Sequence, residues 1–276
     1  MLRITTNLPS INAQKVLGTN NRHLGDAYAR LSSGNRINKS ADDAAGLSIS
    51  EVMKSTIRGF EQAKRNAGDG ISMIQVAEGA MNESSNMLTR LRELAVQAAS
   101  DTIGDRERGF IDKEVQQLKN EMERIAQTTR FGDIKLLDGS GDTYDFQVDV
   151  NNDDFNDRIS FDAGAQDVTL SALGVDGLDY SDKAGAQDAL GVLEEAQIRV
   201  NGQRANLGAL QNRLVSTTEN LSVSVENWSA ANSRIRDTDI AKSSANLAKY
   251  SVLQSAASSV LAQANQTPAV ALKLIG

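Results

Sequence analysis

The sequence predicts a mainly α-helical chain: a long antiparallel helical bundle or coiled coil formed by its N- and C-terminal arms, with a small β-hairpin insertion in the middle. Three observations carry this. Apolar residues recur every seven positions in both arms, as Leu17, Leu24 and Leu31 near the start and Leu193, Val200, Leu207, Leu214, Leu221, Trp228 and Ile235 toward the end. Aromatic residues make up only 4% of the 276 residues, so the core must be spread along thin helical seams rather than gathered in one compact centre. The hydrophobic period shortens to two only near Tyr144, where Tyr144, Phe146, Val148 and Val150 alternate with Asp145, Gln147 and Asp149.

The elements follow in order. Pro9 suits the first turn of a helix and Gly34 its stop, with Ala13, Asn20 and Ala27 on the seam beside the leucines. Ser40, with Asp43 three residues on, suits the N-cap of a second helix. Its register is Met53, Phe60, Ala67, Ile74, Met81, Leu88 and Ala95. Unbroken from 42 to 100, it would be roughly 85–90 Å long. Gly59, Gly68, Gly70 and Gly79 weaken such a helix by about 1 kcal/mol each, so it requires partners along its length. Asp105 suits the cap of a third helix, folded back antiparallel and ending near Arg130-Phe131-Gly132.

After the Tyr144 strand, Ile159-Ser160-Phe161 and Val168-Thr169-Leu170 read as two more short strands. Helix resumes near 184, and a last helix with Ile240, Leu247, Leu253, Val260 and Ala264 is expected to end at Pro268. The domain organisation expected is a terminal helical core (1–40 and 235–276), an outer helical bundle (41–137 and 183–234), and an acidic β-hairpin insertion (138–182).

Charge follows the same division. Residues 1–40 carry a net +5 and residues 234–276 a net +3, which leaves −15 for the middle of a chain of net charge −7. Segment 138–182 holds twelve Asp, no Glu and one basic residue, Arg158. The basic residues of the arms are scattered, without interleaved aromatics, so neither nucleic-acid nor membrane binding is expected. No apolar run approaches the roughly 20 residues of a membrane span, and the N-terminus lacks the hydrophobic stretch of a cleaved signal peptide.

Catalysis has little to stand on. The chain has no cysteine and one histidine, His23, which excludes most nucleophile–base pairs and thiolate metal sites. Gly68 and Gly70 lack the third glycine of a dinucleotide loop. Asp149-Val150-Asn151-Asn152-Asp153 begins like a calcium loop, but Asp154 and Ser160 occupy the positions that require glycine and a bidentate glutamate. No enzyme activity, cofactor or metal is expected.

Two motifs at opposite ends are more specific. Arg30-Leu31-Ser32-Ser33-Gly34-Asn35-Arg36-Ile37-Asn38, with Ala41-Asp42-Asp43-Ala44-Ala45-Gly46-Leu47, closely resembles the N-terminal signature of bacterial flagellins. Asn212-Arg213-Leu214, Glu226-Asn227, Ser233-Arg234-Ile235-Arg236-Asp237 and Leu261-Ala262-Gln263-Ala264-Asn265-Gln266 resemble the C-terminal one. Phe131 and Leu136-Leu137-Asp138-Gly139 match the family's exit from its third helix, so the resemblance covers about 1–139 and 184–276. Asn232, Lys242, Ser255 and Ala257 depart from the family's usual residues in the C-terminal arm.

The resemblance implies a structural subunit of the flagellar filament, a helical homopolymer outside the cell. Self-assembly would run through Leu17, Leu24, Leu31, Leu247, Leu253, Val260 and Leu261 of the terminal helices. It also implies an export apparatus and chaperone, with filament-cap and hook-junction proteins, as partners. Arg90-Leu91-Arg92-Glu93-Leu94-Ala95-Val96 resembles the segment read by the vertebrate innate immune receptor for flagellin. Arg90 and Leu94 would face outward there, with Glu114 as a charged neighbour. A hook–filament junction protein shares the end motifs and is the alternative within the same machinery. A plain coiled-coil adaptor fits the heptads but leaves both terminal motifs unexplained.

Overall fold

The computed structural model describes residues 6–275, with side chains as far as Gln266. Its helices are α1 (Leu8–Ser33), α2 (Ala44–Ala98), α3 (Asp105–Thr128), the short α4 (Leu170–Leu173), α5 (Lys183–Arg236) and α6 (Ile240–Ile275). The strands are β1 (Arg130–Phe131), β2 (Ile134–Lys135), β3 (Thr143–Gln147) and β4 (Arg158–Asp162). Arg3 and Lys273, counted above among the basic residues of the arms, lie outside the described side chains. The backbone of α6 stays helical past position 268, where a stop was expected. Proline removes one donor and crowds the preceding turn, which weakens a helix without forbidding it.

The chain forms two compact units. One joins the described residues up to Ser55 with those from Asn227 onward; the other is Thr56–Glu226.

The second unit has a continuous apolar core. On α2, Ala67, Ile74, Met81, Leu88 and Ala95 are buried in the expected register, joined by Leu91 and Ala98. Leu193, Val200, Leu207 and Leu214 of α5 and Val115 and Met122 of α3 complete it. Arg90 meets Glu114 and Arg108 meets Ala98, which fixes α2 and α3 as antiparallel. Two of the buried polar residues are cations that satisfy backbone carbonyls. Arg108 donates to the carbonyls of Ala98 (2.8 Å) and Ser100 (2.9 Å) at the C-terminal end of α2. Lys119 donates to those of Asp176 (2.5 Å) and Leu178 (3.0 Å). A helix end leaves carbonyls without partners, and a cation there supplies both donors and favourable charge.

Several caps differ from expectation. Asp43, not Ser40, caps α2: its carboxylate accepts from the Gly46 amide at 2.9 Å. Gly104 occupies the cap position of α3, and Asp105 instead pairs with Arg108 at 2.7 Å. At the start of α5, Asp182 accepts from the Gly185 amide at 2.8 Å.

The hairpin β3–β4 is antiparallel, with Tyr144 opposite Phe161 and Phe146 opposite Ile159. Ile159, Phe161 and Val148 are buried. The hairpin packs on α2 where that helix has glycines: Phe146 covers Gly70 and Val150 lies against Gly59. Asn66 donates to the Gln147 carbonyl at 3.0 Å on the same face. Those glycines, read above as weak points, are what lets a sheet approach a helix backbone. A second small pair, β1–β2, turns at Gly132 and was not expected. Val168-Thr169-Leu170 is not a strand. Thr169 accepts from the Ala172 amide and caps α4, which closes at left-handed Gly174 (φ 74°). A threonine placed to accept from an amide three residues on outweighs the β preference of so short a run.

Candidate assembly surface

In the first unit, α1 and α6 lie side by side and antiparallel. Asn7 donates to the Ala264 carbonyl (2.8 Å), Ser10 bonds Asn265 (2.8 Å), Gln254 donates to Asn21 (2.9 Å), and His23 stacks on Tyr250 with ring centroids 5.0 Å apart. The contact itself is made of small residues. Ser10, Ala13, Asn20 and Ala27 are buried on α1, and Ser243, Ala257 and Ala264 on α6. Tyr250 completes the α6 heptad of positions 243, 250, 257 and 264. Small side chains at the seam let the two helix axes approach closely.

The leucine stripe therefore flanks this contact rather than filling it. Leu17, Leu24, Leu31, Leu247 and Leu261 are half-buried, while Leu253 and Val260 are exposed at 39% and 58%. Sequence reading missed Ser10, Ser243 and Ala257, although the small-residue heptad of α6 was a usable signal once matched to Ala13, Asn20 and Ala27. Beyond the flank, Leu8, Ile11, Val16, Tyr28 and Val252 are also exposed, Val252 at 68%. An apolar groove of about 550 Å³ opens beside the seam, walled by Pro9, Val16, Leu253, Ala256 and Val260. Isolated exposed apolar residues are ordinary on a protein surface, but an apolar groove lined by both helices marks a candidate interaction surface.

The two terminal motifs meet at the base of this pair. Left-handed Gly34 (φ 71°) ends α1. The chain then pairs with the α5–α6 joint: the Arg36 amide donates to the Arg236 carbonyl (2.6 Å) and the Thr238 amide to the Gly34 carbonyl (2.9 Å). Asn35 and Asp237 form an antiparallel bridge, and the Arg36 guanidinium donates to the Ile235 carbonyl. Arg236 in turn pairs with Glu51. Asp42 accepts from the Lys39 and Asn38 amides, both at 3.0 Å, and these bonds hold its carboxyl below the usual carboxylate range. Segments about 200 positions apart in the sequence thus specify one joint.

The Arg90–Val96 segment lies in the other unit. Arg90 is half-exposed and already engaged: it donates to Glu114 twice (3.0 and 2.8 Å) and to Glu93 (3.0 Å). The Glu114 and then the Glu93 hydrogen bonds raise its pKa above the ordinary value. Leu94 does not face outward as expected; it is 2% exposed, within the core. Leu88, Leu91, Leu94, Ala95 and Ala98 form a buried stripe wider than a single heptad position, because α2 is covered on more than one side.

In the acidic hairpin loop, Asp153 accepts from the Asn156 and Phe155 amides and from the Asn156 side chain, and these bonds lower its pKa. Arg158 pairs with Asp154. The carboxylates thus organise the loop itself.

Comparison with known proteins agrees with this architecture. The bacterial flagellin N-terminal helical region matches residues 4–142 and the bacterial flagellin C-terminal helical region matches 190–275. The chain is 43% identical to a flagellin of Halalkalibacterium halodurans over 99% of both chains. It is 41% identical to the flagellar filament core protein flaB2 of Brachyspira hyodysenteriae, again over 99% of both. The crystal structure of Bacillus cereus flagellin superimposes with a TM-score of 0.52 at 30% identity, covering 61% of this chain and 94% of that one. Matching helical regions at both ends, with the hairpin insertion between them, place the chain in the bacterial flagellin family, whose members are structural subunits of the flagellar filament and not enzymes.

Proposed function

We propose that this flagellin polymerises through the outer faces of its α1–α6 pair, with residues 1–40 and 235–276 as the inner core of the filament. Residues 41–137 and 183–234 would form the outer bundle, and 138–182 the hairpin insertion. The carrying observation is the array of exposed apolar side chains on α1 and α6, from Leu8 and Ile11 to Val252 and Val260, beside the groove at Val16 and Leu253. The contact within the pair uses small residues, which leaves the larger apolar ones for a second copy. Burial of apolar surface at about 25 cal/mol per Å² then drives stacking of subunits.

Replacing Val252 by Glu in the full chain tests this. Val252 is 68% exposed, so the monomer's melt should shift by less than about 0.5 kcal/mol. Filaments seen by electron microscopy should be lost. Normal filaments from Val252→Glu would remove the proposed face from the interface.

The same reading carries the remaining partners. The chain would leave the cell through the export apparatus, delivered by a chaperone, and join hook-junction and filament-cap proteins. The absence of cysteine and the scarcity of bulky aromatics suit passage through a narrow channel. A receptor contact is a second reading, favoured by Arg90 and Glu114 standing half-exposed side by side. A vertebrate innate immune receptor would read that pair on the free subunit.

A further inference from the structure

We infer that the Asp176–Gly177 step, in the loop between α4 and α5, is a site of spontaneous backbone isomerisation at which aspartate converts to isoaspartate through a succinimide ring. The chain has four steps with the required chemistry: Asp69-Gly70, Asp138-Gly139, Asp176-Gly177 and Asn201-Gly202. In each, the glycine has no Cβ to shield its amide nitrogen from the preceding side chain.

The structure disables three of them. Asp69-Gly70 lies inside α2 and Asn201-Gly202 inside α5, where helical backbone engages the amides and holds them away from ring closure. Asp138 is pinned: Oδ2 accepts from Lys135 Nζ (2.6 Å), and Oδ1 from the Ser140 amide (3.1 Å) and hydroxyl (2.7 Å). A carboxylate so held stays ionised, and an ionised carboxylate is a poor electrophile.

Asp176 is held less tightly, with its own Gly177 amide as the donor to Oδ1. Both it and Gly177 are exposed in a turn, and a Cβ at Gly177 would meet nothing within 4 Å. The Gly177 amide donates to Asp176 Oδ1 at 2.9 Å, which keeps its nitrogen within reach of the carboxyl group. Buried Lys119 adds a charge effect. Its ammonium donates at 2.5 Å to the Asp176 carbonyl, which belongs to the same peptide group as the Gly177 nitrogen. When that nitrogen gives its proton to solvent, the negative charge spreads onto the oxygen that Lys119 holds.

The step balances without an oxidant or reductant. The nitrogen bonds to Cγ of the protonated Asp176 side chain, and the Cγ–OH bond breaks to release water. Water then opens the ring at either carbonyl. Opening at the backbone carbonyl leaves isoaspartate, with one methylene moved from side chain to backbone and no change in mass. Opening there also takes the Asp176 carbonyl that Lys119 holds out of the backbone and leaves it as a free carboxylate.

The test incubates the full chain at mildly acidic pH, both native and unfolded in urea. Isoaspartate is measured at all four steps by peptide mapping with isoaspartyl-specific enzymatic methylation. In the native protein, position 176 should exceed each other step by about tenfold or more, the rate equivalent of one favourable hydrogen bond to the reacting group. In urea the differences should shrink. Equal native rates at the four steps, or a lead by Asp138, would overturn the inference. Lys119→Met should slow the reaction at 176; an unchanged or faster rate would remove Lys119 from it. Should that variant fail to fold, the wild-type comparison between native and urea samples still decides.

Discussion

Phe146 lies over Gly70, so that a Cβ at Gly70 would meet three of its ring carbons at 3.1, 3.1 and 3.2 Å. Two residues away, a Cβ at Gly68 would meet nothing within 4 Å. Neighbouring glycines of one helix thus have opposite roles: one admits the hairpin, the other merely weakens the helix. Gly70→Val should destabilise the protein by about 1–3 kcal/mol through overpacking. Gly68→Ala should stabilise it by up to about 1 kcal/mol. Urea unfolding of the two variants checks both signs, and a shared sign would mean the hairpin does not rest on Gly70.

The seam of α5 makes a second prediction. Leu207 and Leu214 are 1% and 0% exposed, whereas Ile198 on the same helix is 66% exposed. Leu207→Ala and Leu214→Ala should each cost roughly 2–5 kcal/mol. Ile198→Ala should cost under about 0.5 kcal/mol. Thermal melts showing all three alike would contradict the buried seam.

Arg90 and Leu94, one helical turn apart, should separate in their effects. Arg90→Ala removes an exposed group tied to Glu114 and Glu93, so folding should change little, because solvent screens such surface pairs. In a reporter-cell assay it should weaken receptor signalling markedly. Leu94→Ala should instead lower thermal stability by about 2–5 kcal/mol, since it empties a core position. Unchanged signalling by Arg90→Ala would leave this segment with packing as its only role.

Acid should act on particular loops. Asp42 and Asp153 have pKa values lowered by backbone amides, those of Lys39 and Asn38 for Asp42 and those of Asn156 and Phe155 for Asp153. For a carboxyl whose folded pKa lies below its unfolded one, the stabilisation is present above the unfolded pKa. It is lost as pH falls through the folded pKa. Melting temperature should therefore hold near neutrality and fall once pH drops below the ordinary carboxylate range. Asp153→Asn should flatten that acid limb, and an equally steep limb would show that Asp153 does not contribute to it.

The sequence by itself determined the long helices, the seams of α2 and α5, and the family. Heptads such as Leu193–Leu221 and the two terminal motifs are local patterns, and a helix's apolar face follows from spacing alone. The acidic hairpin was legible for the same reason, since Tyr144-Asp145-Phe146 alternates wherever it packs. Only tertiary structure decided which apolar stripe meets which neighbour. Leu94 is covered because α2 is packed on more than one side, and the leucines of α1 flank a contact that Ala13, Asn20 and Ala27 make. It also decided the caps, where Asp43 outcompetes Ser40 by standing three residues before the Gly46 amide it binds. The meeting of Asn35 with Asp237, and the place of Gly70 beneath Phe146, depend on contacts between residues far apart in the chain. Periodicity reports which side of an element is apolar; what covers that side is fixed by the packing of the whole chain.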